Sequence, residues 1–233
     1  MAMKLPKELL EELDSLFDTL TKPDPDARRI ALKRLHDYER GGKLPLESLL
    51  DLTDAPHPAI AMYAIGALGR SKHPSSVRKL LALGEQHRGG NLLFLETIVE
   101  ALGEAESPAA TEFLVELLGV KLGWKNKLLV KLSLKKDDVA PEEQRRRAEM
   151  ALPVARALGK IKDPRAAEAI WLCVDSADPL VRWHAVQAAM QCELTEFTPK
   201  LRTLARGDAN DTVREMAQIA LTKLEPLPQP VNN

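Results

Sequence analysis

The chain has 233 residues, a formal net charge of −1, 45% hydrophobic residues and only 4% aromatic ones. That length suits one large domain or an extended array, the near-neutral charge supplies no global field to select a partner, and no apolar run is long enough to span a bilayer. Cys173 and Cys192 are the only cysteines; with no ligand-spaced Cys/His cluster they argue against a zinc site and for a reducing, cytoplasmic setting.

The first element, MAMKLPKELLEELDSLF, is acidic and amphipathic, lacks the apolar stretch of a signal peptide, and predicts a helix. Further along, ALGRSKHP, ALGEAESP and ALGKIKDP begin at Ala67, Ala101 and Ala157 and share Ala-Leu-Gly, a spacer and a proline. The first two are 34 residues apart and the next two 56, which is one period plus an interruption of 22. Pro25 to Pro58 and Pro179 to Thr212 are each 33 residues. Fixed-period similarity of this length is the signature of a stacked repeat. Gly69, Gly103 and Gly159 are expected to end helices in the left-handed conformation, and Pro74, Pro108 and Pro164 to open the following ones. Each unit is then helix, turn, helix.

Six second helices align: DPDARRIALKRL, HPAIAMYAIGAL, NLLFLETIVEAL, RAEMALPVARAL, DPLVRWHAVQAA and NDTVREMAQIAL. Their fourth, eighth and eleventh positions are apolar or small in nearly every copy, spacings that mark one buried face. Pro153 is expected to kink the fourth of these helices. This pattern, carried best by DPLVRWHAVQAA and ALGKIKDPRAAEAI, resembles HEAT repeats, including the short type found in phycobilisome lyases. The resemblance, carried over roughly Asp24 to Leu224 outside the insertion, implies an all-α, right-handed α-solenoid, placed at residues 1–224; the tail EPLPQPVNN at 225–233 is too proline-rich to join a helix and is expected to be flexible. The resemblance also implies a binding scaffold more than an enzyme, although lyases and DNA glycosylases exist among helical-repeat proteins. In such repeats an Asp and an Arg one turn apart commonly link adjacent units, and here Asp24 with Arg28, Asp178 with Arg182, and Asn210 or Asp211 with Arg214 fit; a phosphate or carboxylate clamp is the other use for these arginines.

The interruption, residues 119–140, has a different period. Eight of nine even positions from 118 to 134 are apolar, while the odd positions carry Lys121, Lys125, Lys127, Lys131 and Lys135. Period two predicts a β-hairpin turning at Lys125-Asn126-Lys127, with an irregular excursion containing a short helix as the alternative. Residues 119–162 hold 12 Lys and Arg against 5 Asp and Glu, whereas residues 1–118 hold 14 against 19. Arg145, Arg146 and Arg147 extend the basic middle at a helix start, where the macrodipole disfavours them. A solvated face or an anionic partner, either nucleic acid or an acidic protein surface, accounts for them.

The outer ridge of the second helices is expected to be concave and to bind. It carries Met62, Tyr63, Leu152, Arg156, Trp183 and Gln187, with Trp and Arg as typical anchors. Trp171 matches core positions. The five histidines form no metal pattern, no nucleophile or acid–base pair is placed for catalysis, and no Gly-rich phosphate loop follows a strand, so no cofactor and no metal are expected. The expected function is a non-catalytic scaffold for a protein partner, with the basic insertion as a second contact and nucleic-acid binding as the alternative.

Overall fold

A computed structural model describes residues 7–120 and 140–225. Among the described residues twelve α-helices make six antiparallel pairs, and no strand occurs. The pairs are α1 (Lys7–Thr21) with α2 (Pro25–Arg40), α3 (Leu46–Leu52) with α4 (Pro58–Ser71), α5 (Pro74–His87) with α6 (Leu92–Glu104), α7 (Thr111–Leu117) with α8 (Pro141–Ile161), α9 (Ala167–Val174) with α10 (Pro179–Gln191), and α11 (Thr198–Gly207) with α12 (Asp211–Leu224). Of the inferred insertion at 119–140, residues 121–139 with the five odd-position lysines lie outside the described residues, as do residues 226–233 of the Pro-rich tail at 225–233.

Helix starts follow local chemistry. Asp24, Asn91, Asp178 and Asn210 each accept a bond from a backbone N–H in the first turn of the helix they precede, relieving donors that a helix leaves unpaired. His57 and His73 serve the same purpose through Nδ1, which accepts from the amides of Ala59 and Ser75 at 3.2 Å. Proline occupies the first helical position of α2, α4, α5 and α10, while Pro108 and Pro164 open single 3₁₀ turns that lead into α7 and α9. The helix α8 continues through Pro153 to Ile161.

The core lies between the two helix layers. Leu35, Leu68, Leu102 and Leu158, the twelfth residues of their second-helix motifs, are 0% exposed, as are the eighth-position residues Ala64, Ile98, Val154, Ala185 and Ala217. Each buried leucine is worth about 1.5–3 kcal/mol relative to exposure. Along the layer of second helices, α4 packs on α6, α6 on α8, α8 on α10 and α10 on α12.

The glycines of the Ala-Leu-Gly motif do not end their helices. Gly69, Gly103 and Gly159 lie inside α4, α6 and α8, and the left-handed residues that follow are Lys72, Glu106 and Lys162. A β-carbon on Gly69 would stand 2.5 Å from the Ala101 carbonyl oxygen, and one on Gly103 would stand 2.8 Å from the Ala157 α-carbon. One on Gly159 would meet the Gln191 side chain at 2.6 Å and the Ala188 α-carbon at 3.4 Å. Glycine is therefore required for the close approach of consecutive second helices, each glycine seating the small alanine of the next unit. Tight backbone packing against a neighbouring helix, and not turn geometry, explains the motif.

The expected Asp–Arg link between units also takes another form. Asp178 caps its own helix at the amide of Leu180. Arg182 reaches forward instead to Asp208, with Nε–Oδ2 at 2.8 Å and Nη2–Oδ1 at 2.7 Å, and donates to the carbonyls of Ser176 and Ala177. Arg214 pairs with Asp211 as expected, though within its own helix, and donates to the Asp208 carbonyl at 2.6 Å. The Asp208 side chain is 4% exposed. The hydrogen bonds from Arg182 hold its pKa below the usual carboxylate range against the opposing effect of burial. In the preceding joint the buried Thr111 hydroxyl donates to Asp163 at 2.7 Å. Arg28 makes no side-chain bond among the described residues.

Candidate functional site

On α10 the helical repeat places Leu180, Trp183 and Gln187 on one face, three and four residues apart. Leu180 is 50% exposed. Trp183 is partly buried, with its lower side against the core, and meets the His184 ring edge-on at 4.7 Å. Gln187 Oε1 lies 3.3 Å from His184 Nδ1. Burial, aided by the charge of Arg156, pushes the pKa of His184 down against the Gln187 contact, so the imidazole is neutral at pH 7. The centre of this ridge is therefore uncharged and partly apolar, with Ile219 on α12 exposed to 57% beyond it.

Around this centre the ridge is laced by ion pairs that step from unit to unit. Glu39 of α2 receives Arg70 of α4 through two bonds, at 3.0 and 2.8 Å. Glu104 of α6 pairs with Lys160 of α8 at 2.5 Å, and Glu100 with Arg156 at 3.4 Å. Arg156 and Glu100 are each nearly half exposed, so this pair contributes little to stability and can reorganise against a partner at small cost. Pro153, Arg156 and Lys160 of α8 border a small cavity of about 210 Å³ shared with Glu100 and Glu104.

The six ridge residues read from the sequence are not equivalent. Arg156 is exposed, and Met62, Leu152, Trp183 and Gln187 are partly buried. Tyr63 is 6% exposed; its ring stacks on His36 at 5.8 Å and tilts against Phe17 at 6.1 Å, so it belongs to the joint between the first two units. Leu180 escaped sequence reasoning, although its place one turn before Trp183 was the available signal. Trp171 packs edge-on against Phe197 at 4.8 Å, in keeping with a core position.

The three basic residues at the start of α8 point in different directions, as 100° per residue requires. Arg145 is largely exposed and pairs with Glu149 at 2.8 Å. Arg146 donates to the carbonyls of Arg88, Gly89 and Gly90 at 3.0–3.2 Å, closing the turn after α5. Arg147 pairs with Glu143 at 2.9 Å. Among the described residues no group of three His, Cys, Asp or Glu side chains is placed to hold a metal ion, and no helix is long and apolar enough to cross a membrane.

HEAT repeats match residues 46–134 and 142–222, well over half of the sequence. The chain belongs to the HEAT-repeat family. Among solved structures it is similar to the complex of CpcE and CpcF of phycocyanin lyase from Nostoc sp. PCC7120, with a TM-score of 0.54 and 16% identity over 96% of this chain and 80% of that one. An engineered protein is similar with a TM-score of 0.48 and 17% identity, covering 91% of this chain and 96% of its own. A designed armadillo-repeat protein follows at 0.44 and 20%, covering 91% and 99%. No curated protein matches in sequence. At 16% identity the likeness to the CpcE–CpcF complex concerns the fold alone: a solenoid of stacked helix pairs.

Proposed function

We propose that this HEAT-repeat chain is a non-catalytic scaffold that grips a protein partner on the ridge of its second helices, centred on Trp183. The supporting observation is the pairing of a half-exposed Leu180 with Trp183 one helical turn later. A large aromatic fixed on its lower side by the core and open above, beside an exposed aliphatic, is the arrangement that interface anchors favour. Leu152 and Met62 extend the same ridge, Gln187 offers a polar contact, and Arg156 adds an anchor whose present partner Glu100 is itself exposed. The likeness to CpcE and CpcF, solved as a complex with each other, is compatible with a solenoid that works beside a second protein. The lysines Lys121, Lys125, Lys127, Lys131 and Lys135 form a second contact for an acidic surface of that partner in this reading. No enzymatic step is proposed.

The test is affinity capture with the intact chain, followed by titration of the purified captured partner. Trp183→Ala and Leu180→Asp each weaken binding about tenfold or more, as central interface residues do, while the melting temperature changes little for Leu180→Asp because that side chain already faces water. A partner whose affinity is indifferent to both substitutions removes the ridge from the account.

A further inference from the structure

A second site lies at the other end of the layer, between α2 and α4. A groove of about 720 Å³ opens there. Its apolar floor is Leu20, Leu32, Ala59 and Met62, and its cations Arg28, Arg29, Lys33 and Arg40 all come from α2. No carboxylate lines it. Arg29 is tied to Asp26 at 3.1 Å and Arg40 to Asp37 at 2.6 Å, but Arg28 and Lys33 have no side-chain partner among the described residues. His36, the remaining polar residue of the α2 wall, has its pKa pushed down by burial and by the charge of Arg70, so it adds no charge at pH 7. This concentration of cations stands out against an acidic background, since residues 1–118 carry 14 basic and 19 acidic side chains.

The arrangement of the charges selects the ligand. Arg28 and Arg40 are twelve residues apart on one helix, which is about 18 Å. A small anion can bridge the unpaired Arg28 and Lys33, about 7.5 Å apart along the axis, but it leaves the apolar floor uncovered, whereas a helix of three turns runs the length of the cationic wall and covers the floor as well. A nucleic-acid backbone would place phosphates over Leu32 and Met62 and gain nothing from the floor. An amphipathic helix with leucine-like residues on one face and carboxylates along its flanks satisfies the floor and the rim together. Resting on the reading of the chain as a protein-binding scaffold, we infer that the α2–α4 groove docks an acidic amphipathic helix of a partner protein.

The probe is a fluorescein-labelled three-turn peptide with leucines on one face and glutamates flanking them, titrated by anisotropy against the full chain. A version with lysine in place of glutamate and a short DNA duplex serve as comparisons. The glutamate peptide binds, the lysine version does not, and added salt weakens the complex. The double variant Arg28→Glu/Lys33→Glu lowers affinity by about tenfold or more without lowering the melting temperature, since neither side chain has a partner to lose. The milder Arg28→Gln/Lys33→Gln weakens it less, and Leu32→Asp weakens it through the floor. Equal binding of the two peptides, full affinity in the double variant, or displacement of the peptide by duplex DNA at the same salt concentration each overturns the inference. Trp183→Ala leaves the peptide affinity unchanged. If the peptide fails while a captured partner still requires Trp183, the groove alone falls; if the peptide behaves as described but the partner ignores Trp183, only the ridge falls.

Discussion

Gly103 faces Ala157 so closely that a β-carbon on the glycine would stand 2.8 Å from the alanine α-carbon. The contact joins two helices from consecutive units, and the atom on the far side is main chain, which cannot swing away. Gly103→Ala therefore destabilises the protein by about 2 kcal/mol, even though alanine is the better helix former by about 1 kcal/mol. Gly66 offers the control: a β-carbon there meets only the Arg70 guanidinium, at 3.3 Å. Gly66→Ala raises stability by up to about 1 kcal/mol. Urea midpoints of the two variants, moving in opposite directions, check both statements; parallel shifts would refute the packing role.

The Arg182–Asp208 pair makes stability depend on acid. Because Arg182 holds the folded-state pKa of Asp208 down, the unfolded chain takes up a proton at a pH where the folded chain does not. The contribution is complete above the unfolded value of about 3.9 and is lost as pH falls through the lower folded value. Asp208→Asn leaves Arg182 without its carboxylate and lowers stability at pH 7 by about 3 kcal/mol. The gap between the parent protein and the variant narrows below about pH 4. Denaturant titrations across that range measure it, and a gap that stays constant counts against the linkage.

The arginines at the start of α8 are expected to differ in use. Arg146 satisfies three carbonyls after α5, so Arg146→Ala removes charge-assisted bonds from a turn whose Gly89 and Gly90 are exposed and lowers stability by about 1 kcal/mol. Hydrogen exchange in the turn at 88–90 rises with it. Arg145→Ala loses only an exposed i, i+4 pair and changes stability by less than about 0.5 kcal/mol.

Both thiols are closed to reagents. Burial pushes the Cys173 thiol up to about 12 and the Cys192 thiol up to about 11, the latter with help from the charge of Asp163. The thiolate is the reactive form, so labelling with an aromatic disulfide at pH 8 proceeds only as the protein opens. Both cysteines react together in denaturant. Reaction of Cys192 at the rate of a free thiol in the folded protein would contradict its position between α8 and α10.

The helix pairs, their prolines and their apolar stripe were legible in the amino-acid sequence because they rest on neighbours within one helix. Asp24 caps the turn beside it, and Leu35 shares the buried face of Ala31 because 3.6 residues per turn returns every third or fourth residue to the same side, a pattern that Leu68 with Ala64 and Leu102 with Ile98 repeat in their own helices. Trp171 was legible as core for the same reason. The candidate site was only partly legible: the sequence marked Trp183 by size and ridge position, but left Leu180 unnoticed and gave Tyr63 to the surface, where the joint with Phe17 and His36 buries it. Stacking decided what local pattern could not. Gly69, Gly103 and Gly159 have their meaning on the next helix, Arg182 finds Asp208 26 residues ahead, and Arg146 closes a turn 56 residues behind. Helical period says which face of a helix is buried; how far one unit turns and slides on the next, and so which side chains meet, is settled only when the units pack.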